Sequence, residues 1–176
     1  PVNAKNHATT VFYGDEQITE SKNSDFGSSS DWGVFNIAGG SLTEPSNRLQ
    51  VVTSTDNEAE GTALAVGELT TPVIGRTYRI SAKLDNTGGA TTPTIQFRFA
   101  GADAVNVTAT DGSPSNGTID TTEQEYYVDV VAVNTTGNLV IQNVASTDST
   151  TFTIDDVSVK EVGTATGWTD ADQQLD

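Results

Sequence analysis

The chain has 176 residues, with 24 acidic against 8 basic side chains and a net charge of −16. That surplus of negative charge repels phosphate backbones and anionic bilayers, so neither nucleic acid nor a membrane is an expected partner. There is no Cys and one His, at position 7, which excludes disulfides, thiolate metal sites and thiol nucleophiles, and leaves neither a His-based triad nor a multi-His zinc site expected within the chain.

The apolar pattern repeats every second residue, and no helical period stands out. Residues 1–20 carry one apolar cluster, Val11 to Tyr13, followed by GDEQITE. They read as an extended N-terminal arm or a first strand. Strands are then predicted at residues 33–37, 48–54 and 61–66. In TYRISAKL, Tyr78, Ile80, Ala82 and Leu84 alternate with Arg79, Ser81 and Lys83. In TIQFRF, Ile95, Phe97 and Phe99 alternate with Gln96 and Arg98. A further strand is predicted at 105–110. In EYYVDVVAV, Tyr126, Val128, Val130 and Ala132 oppose Tyr127 and Asp129. The last two strands fall at 139–144 and 151–162. Turns separate them at Gly39-Gly40, Pro72 to Gly75, Gly88-Gly89, Asp111-Gly112, Asn116-Gly117 and Gly137-Asn138. Many short half-buried strands with frequent turns predict an all-β antiparallel sandwich over residues 21–162. Residues 163–176 read as a linker or the start of a following module. Trp168 within them is expected to pack on the domain or on a neighbouring chain, since a free linker rarely keeps an exposed Trp.

The final strand changes phase. Phe152 and Ile154 are two apart, as are Val157 and Val159, but Ile154 and Val157 are three apart. A β-bulge at Asp155-Asp156 accounts for the slip and turns an extra side chain sideways. Carboxylates at such a position suit calcium.

Four segments, in order, resemble the galactose-binding-like jelly roll of carbohydrate-binding modules found in xylanases and laminarinases. They are NSDFGSSSDWGVF at 23–35, LTTPVIGRTYRISAKL at 69–84, EQEYYVDVVAV at 123–133 and TFTIDDVSVKEV at 151–162. The closing segment, followed by a polar Gly/Thr stretch, is also similar to modules of tailed-phage virion proteins. The resemblance implies a jelly roll with a structural calcium at one end, held by Asp25 with Asp155 or Asp156. Gly27 stands where that family carries a ligating Glu, which removes one carboxylate. It also implies that Trp32 belongs to the core.

A glycan site is expected on the wet side of the central strands. Arg79, Gln96, Arg98 and Asp129 offer planar hydrogen-bonding groups and Tyr127 a stacking face. No nucleophile–base pair can be assembled from these residues, so no enzyme is expected. The functional expectation is a non-catalytic structural or adhesive module of a phage virion, as fibre, tail or capsid decoration, on the particle surface or outside the cell. Its partners would be other virion proteins, copies of itself and glycans. The alternative is a carbohydrate-binding module of a secreted polysaccharide-degrading enzyme.

Overall fold

The computed structural model describes residues 11–18, 26 and 31–163. Expectations for Asp25, Gly27 and Trp168 lie outside those residues. In chain order the strands are β1 (Phe12–Glu16), β2 (Trp32–Phe35), β3 (Ser41–Thr43), β4 (Leu49–Val52), β5 (Glu60–Leu64) and β6 (Thr77–Gly89). They continue with β7 (Ile95–Arg98), β8 (Val105–Asn106), β9 (Thr108–Ala109), β10 (Gln124–Val131), β11 (Leu139–Asn143) and β12 (Thr150–Gly163).

Two antiparallel sheets form a jelly-roll sandwich. The larger runs β3-β4-β12-β6-β10-β9, with β1 also on β12, and the smaller runs β2-β5-β11-β7-β8. β6, β7 and β10 bury the faces that their alternation predicts. β10 buries Tyr126, Val128 and Val130 and exposes Glu125, Asp129 and Val131. Leu49, Ile80, Leu84, Phe152, Ile154 and Val159 from the larger sheet meet Leu64, Ile95, Phe97, Leu139 and Ile141 from the smaller, all fully buried. Trp32 is a core residue, edge-on to Phe26 with ring centroids 6.1 Å apart. Tyr78 and Phe99 make a similar edge contact at 5.4 Å.

β12 is the spine of the larger sheet. Its inner edge pairs with β6 throughout, while its outer edge pairs first with β4 and then with β1. The changeover falls at the bulge. Asp155 lies opposite Lys83 but Ser158 lies opposite Ser81, and Asp156 has φ 46°. Glu16 holds β1 at this point. Its Oε1 accepts N–H bonds from Gln17, Ile18 and Val159 at 3.0, 3.2 and 2.7 Å, and its Oε2 accepts the Ser158 hydroxyl. One carboxylate thereby ties the end of β1 to β12 just past the bulge.

Three elements differ from expectation. The predicted strand at 105–110 splits at buried Val107, with β8 in the smaller sheet and β9 in the larger. Chains change sheets at sandwich corners in this way. Gly88-Gly89 is not a turn but the end of β6, paired with Thr151 and Thr150. β3 follows Gly39-Gly40 and is too short to show a period.

Candidate functional site

The outward faces of the two sheets are separate candidates. On the larger sheet, the register aligns Lys160, Arg79 and Asp129 in one row, and Ser158, Ser81 and Tyr127 in the next. The two serines are short, so their row forms the floor of a groove of about 420 Å³. Arg79 dominates its wall. Its Nε and Nη2 donate to the two Asp129 carboxylate oxygens at 2.8 and 2.6 Å. Its Nη1 donates to the Tyr13 hydroxyl, and its guanidinium carbon sits 4.1 Å from the centre of the Tyr127 ring. The Asp129 hydrogen bond raises the Arg79 pKa further, against the opposing effect of burial. Arg79, Asp129 and Tyr127 are therefore committed to one another, and the cation covers the Tyr127 face that stacking on a sugar would need.

The smaller sheet holds fewer charges on its outward rows. Its outward rows read Phe35, Gly61, Gln142, Gln96, Asn106 and, beside it, Gly33, Ala63, Val140, Arg98. Gln142 Nε2 donates to Gln96 Oε1 at 3.2 Å, and Gln96 Nε2 donates to Asn106 Oδ1 at 2.9 Å. Asn106 Nδ2 ends the rail on the Asn116 carbonyl at 2.9 Å. Each of these amide nitrogens has a second N–H beyond the one used in the rail. The floor beside the rail is flat because Gly33, Gly61 and Ala63 carry almost no side chain. Phe35 and Arg98 flank a pocket of about 310 Å³ over Val140. Arg98 is exposed and its side chain meets no ion-pair or hydrogen-bond partner among the described residues.

The five expected glycan residues are thus divided between two surfaces. Arg79, Tyr127 and Asp129 share the larger sheet, whereas Gln96 and Arg98 share the smaller one on the opposite side of the core. Phe35, Gln142 and Asn106 are not among the expected site residues. Gln142 has a sequence signal, a polar side chain within the buried run of β11. Phe35 has one only when the phase of β2 is known.

The acid pair at the bulge faces cations. Asp156 Oδ2 lies 2.5 Å from Lys83 Nζ, and that hydrogen bond raises the Lys83 pKa. Asp155 Oδ1 accepts the Asp156 N–H at 2.8 Å, and its Oδ2 lies 3.7 Å from Arg48 Nε. No group of three or more acids or His among the described residues is placed to hold a metal ion. The expected third ligand, Asp25, lies outside them.

No protein-family model matches the sequence, and no curated protein matches it. Solved structures do match. A xylan-binding CBM22 domain of Paenibacillus barcinonensis Xyn10C superposes with a TM-score of 0.57 at 13% identity, over 86% of this chain and 97% of that one. The CBM22-1–GH10 modules of Clostridium thermocellum xylanase 10B, complexed with xylohexaose, give 0.54 at 14% identity over 91% of this chain. The enzymatically active domain of tailspike protein 4 from bacteriophage CBA120 gives 0.53 at 14% identity over 82% of this chain. This chain spans 30% of the xylanase structure and 21% of the tailspike. The fold is therefore the jelly roll of carbohydrate-binding modules, one that a phage tailspike also contains.

Proposed function

We propose that the protein is a non-catalytic adhesive module of a phage virion, belonging to a fibre, tail or capsid decoration, that contacts glycans across the outward face of its smaller sheet. The observation that carries the glycan contact is a trough of about 310 Å³ over Val140, flanked by Phe35 and an uncommitted Arg98 and lying beside the Gln142–Gln96–Asn106 rail. Sugars present an apolar ring face and a rim of hydroxyls, and this surface offers a partner for each. The opposite groove is already internally paired. The tailspike likeness supports the virion setting. The net charge of −16 suits it as well, because strong negative charge keeps repeated copies apart and off packaged nucleic acid.

Affinity electrophoresis and a glycan array test the site. Wild type should be retained by at least one polysaccharide. Arg98→Ala and Phe35→Ala should each weaken retention about tenfold, in line with the loss of a desolvated anchor. Tyr127→Ala should leave retention unchanged. No retention of the wild type, or loss on Tyr127→Ala alone, rules out the smaller sheet. The second reading is a module of a secreted polysaccharide-degrading enzyme, supported by the two xylanase structures. Peptide mapping of purified particles separates the two settings.

Structural calcium on Asp25 with Asp155 or Asp156 belongs to the same proposal. Bound metal stabilises by mass action, so EDTA should lower the melting temperature. An unchanged melt would leave Lys83 and Arg48 as the charge partners of the bulge among the described residues.

A further inference from the structure

The chain has 24 acidic residues, yet neither outward row of the smaller sheet holds an Asp or a Glu. The pocket of about 310 Å³ on this face is equally free of acids, and its lining includes Phe35, Arg98, Asn134, Thr136, Asn138 and Val140. Arg48, Arg76, Arg79 and Lys83 each face a carboxylate, whereas Arg98 faces none among the described residues. A guanidinium stays charged and presents a planar fork of N–H donors. Arg98 is thus a cation without a counter-charge in the least acidic part of an acidic protein.

The amides around it add donors and no acceptors. Asn134 Oδ1 accepts the Thr136 and Gly137 N–H groups at 3.1 and 2.8 Å. Asn138 Oδ1 accepts the Val66 N–H at 3.2 Å. These bonds fix both amides with the oxygen occupied, and each Nδ2 has no acceptor among the described residues. Asn134 is held firmly. The Val133 and Asn134 N–H groups both donate to the Ala100 carbonyl at 2.9 Å. A Cβ at Gly101 would fall 2.1 Å from Asn134 Nδ2, so only glycine lets the two loops close this tightly. A neutral sugar hydroxyl can accept from these donors, but its own proton then lacks an acceptor on the amides. An acid group has no such proton, and its charged oxygens make hydrogen bonds about twice as strong as neutral ones.

We propose that this pocket is a subsite for an acidic sugar, whose carboxylate or sulfate oxygens accept the N–H groups of Arg98, Asn134 and Asn138 while its ring lies on Phe35. This rests on the glycan reading of the smaller sheet and names the sugar class. Acids elsewhere on the protein oppose an anionic glycan at long range, but at about 0.15 M salt charges more than about 8 Å apart are largely screened. A glycan array at that salt tests it, carrying uronic-acid, sialic-acid and sulfated glycans, each beside its carboxyl-reduced or desulfated counterpart. Wild type should capture at least one acidic glycan about tenfold better than its neutral counterpart, and the arm that responds identifies the acid group. Arg98→Lys keeps the charge but loses the fork, and should reduce that preference several-fold. Asn134→Asp keeps the oxygens that hold the loop but replaces the donor with a carboxylate, and should abolish it. Arg76→Gln, at an exposed cation of the larger sheet, should leave it unchanged. Unchanged melting temperatures confirm folding of all three variants. Equal capture of acidic and neutral glycans would overturn the acidic subsite and leave the glycan reading standing, whereas no capture of any glycan would remove both. A preference that survives Asn134→Asp, or that falls equally with Arg76→Gln, would also overturn the proposal.

Discussion

Gly61→Ala should be among the most damaging single substitutions in this protein, costing about 3 kcal/mol or preventing folding altogether. Gly61 is paired with Gln142 in the middle of the smaller sheet. A Cβ added there would fall 2.0 Å from the Ile141 carbonyl oxygen and 2.7 Å from the Gln142 Cα. Both are backbone atoms of the central strand, so no rotamer change relieves the overlap. β5 and β11 would have to separate, breaking the ladder next to fully buried Leu64 and Ile141. Gly33→Ala is the control. Its Cβ would meet nothing within 4 Å, so it should change stability by less than about 0.5 kcal/mol. Urea titration of both variants checks this. Equal midpoints would mean that the two strands tolerate separation.

The second large effect is expected at Arg48. Its Nη2 lies 2.5 Å from Asp85 and 2.6 Å from Glu123. Asp85 is 8% exposed and also accepts the Thr153 hydroxyl. Removing the cation leaves a nearly buried carboxylate with no opposite charge, which costs more than the pair itself contributes. Arg48→Met should lower stability by about 3 kcal/mol, toward the low end for buried pairs because Arg48 keeps some solvent contact. Asp85→Asn in the same background should recover much of the loss, since the stranded charge is gone. A double-mutant cycle by thermal or urea unfolding measures it. Additive losses would show that the two side chains do not act together.

Both predictions rest on features that single strands do not reveal. Alternation is enough to read Tyr78, Ile80 and Leu84 as core and Arg79 as outward, because a half-buried strand writes its two faces into its own sequence. The slip between Ile154 and Val157 likewise shows the bulge, since a phase change is local. Sheet membership is not local. Gln96 and Arg98 share their alternation with Arg79 and Tyr127, yet β7 pairs with β11 while β6 pairs with β10 and β12. That choice is made by contacts distant in sequence. For the same reason the trough is half legible: alternation finds Gln96 and Arg98 but not Phe35, whose place across Gly61 from Gln142 depends on three strands meeting. The division of residues 105–110 between sheets is hidden too, as Val105 to Thr110 reads as one run until its partners are known.

The pairing of Phe12 with Gly163 also governs how the domain would respond to tension. Hydrogen bonds between strands lie across the strand direction. A load applied through these two positions draws β1 sideways from β12, so the bonds break in succession, as a zip opens, instead of resisting together in shear. The clasp made by Glu16 on Val159 and Ser158 is the first firm stop along that path. An anchor of this kind yields early, then holds, and so damps a sudden pull before it reaches the sandwich behind it.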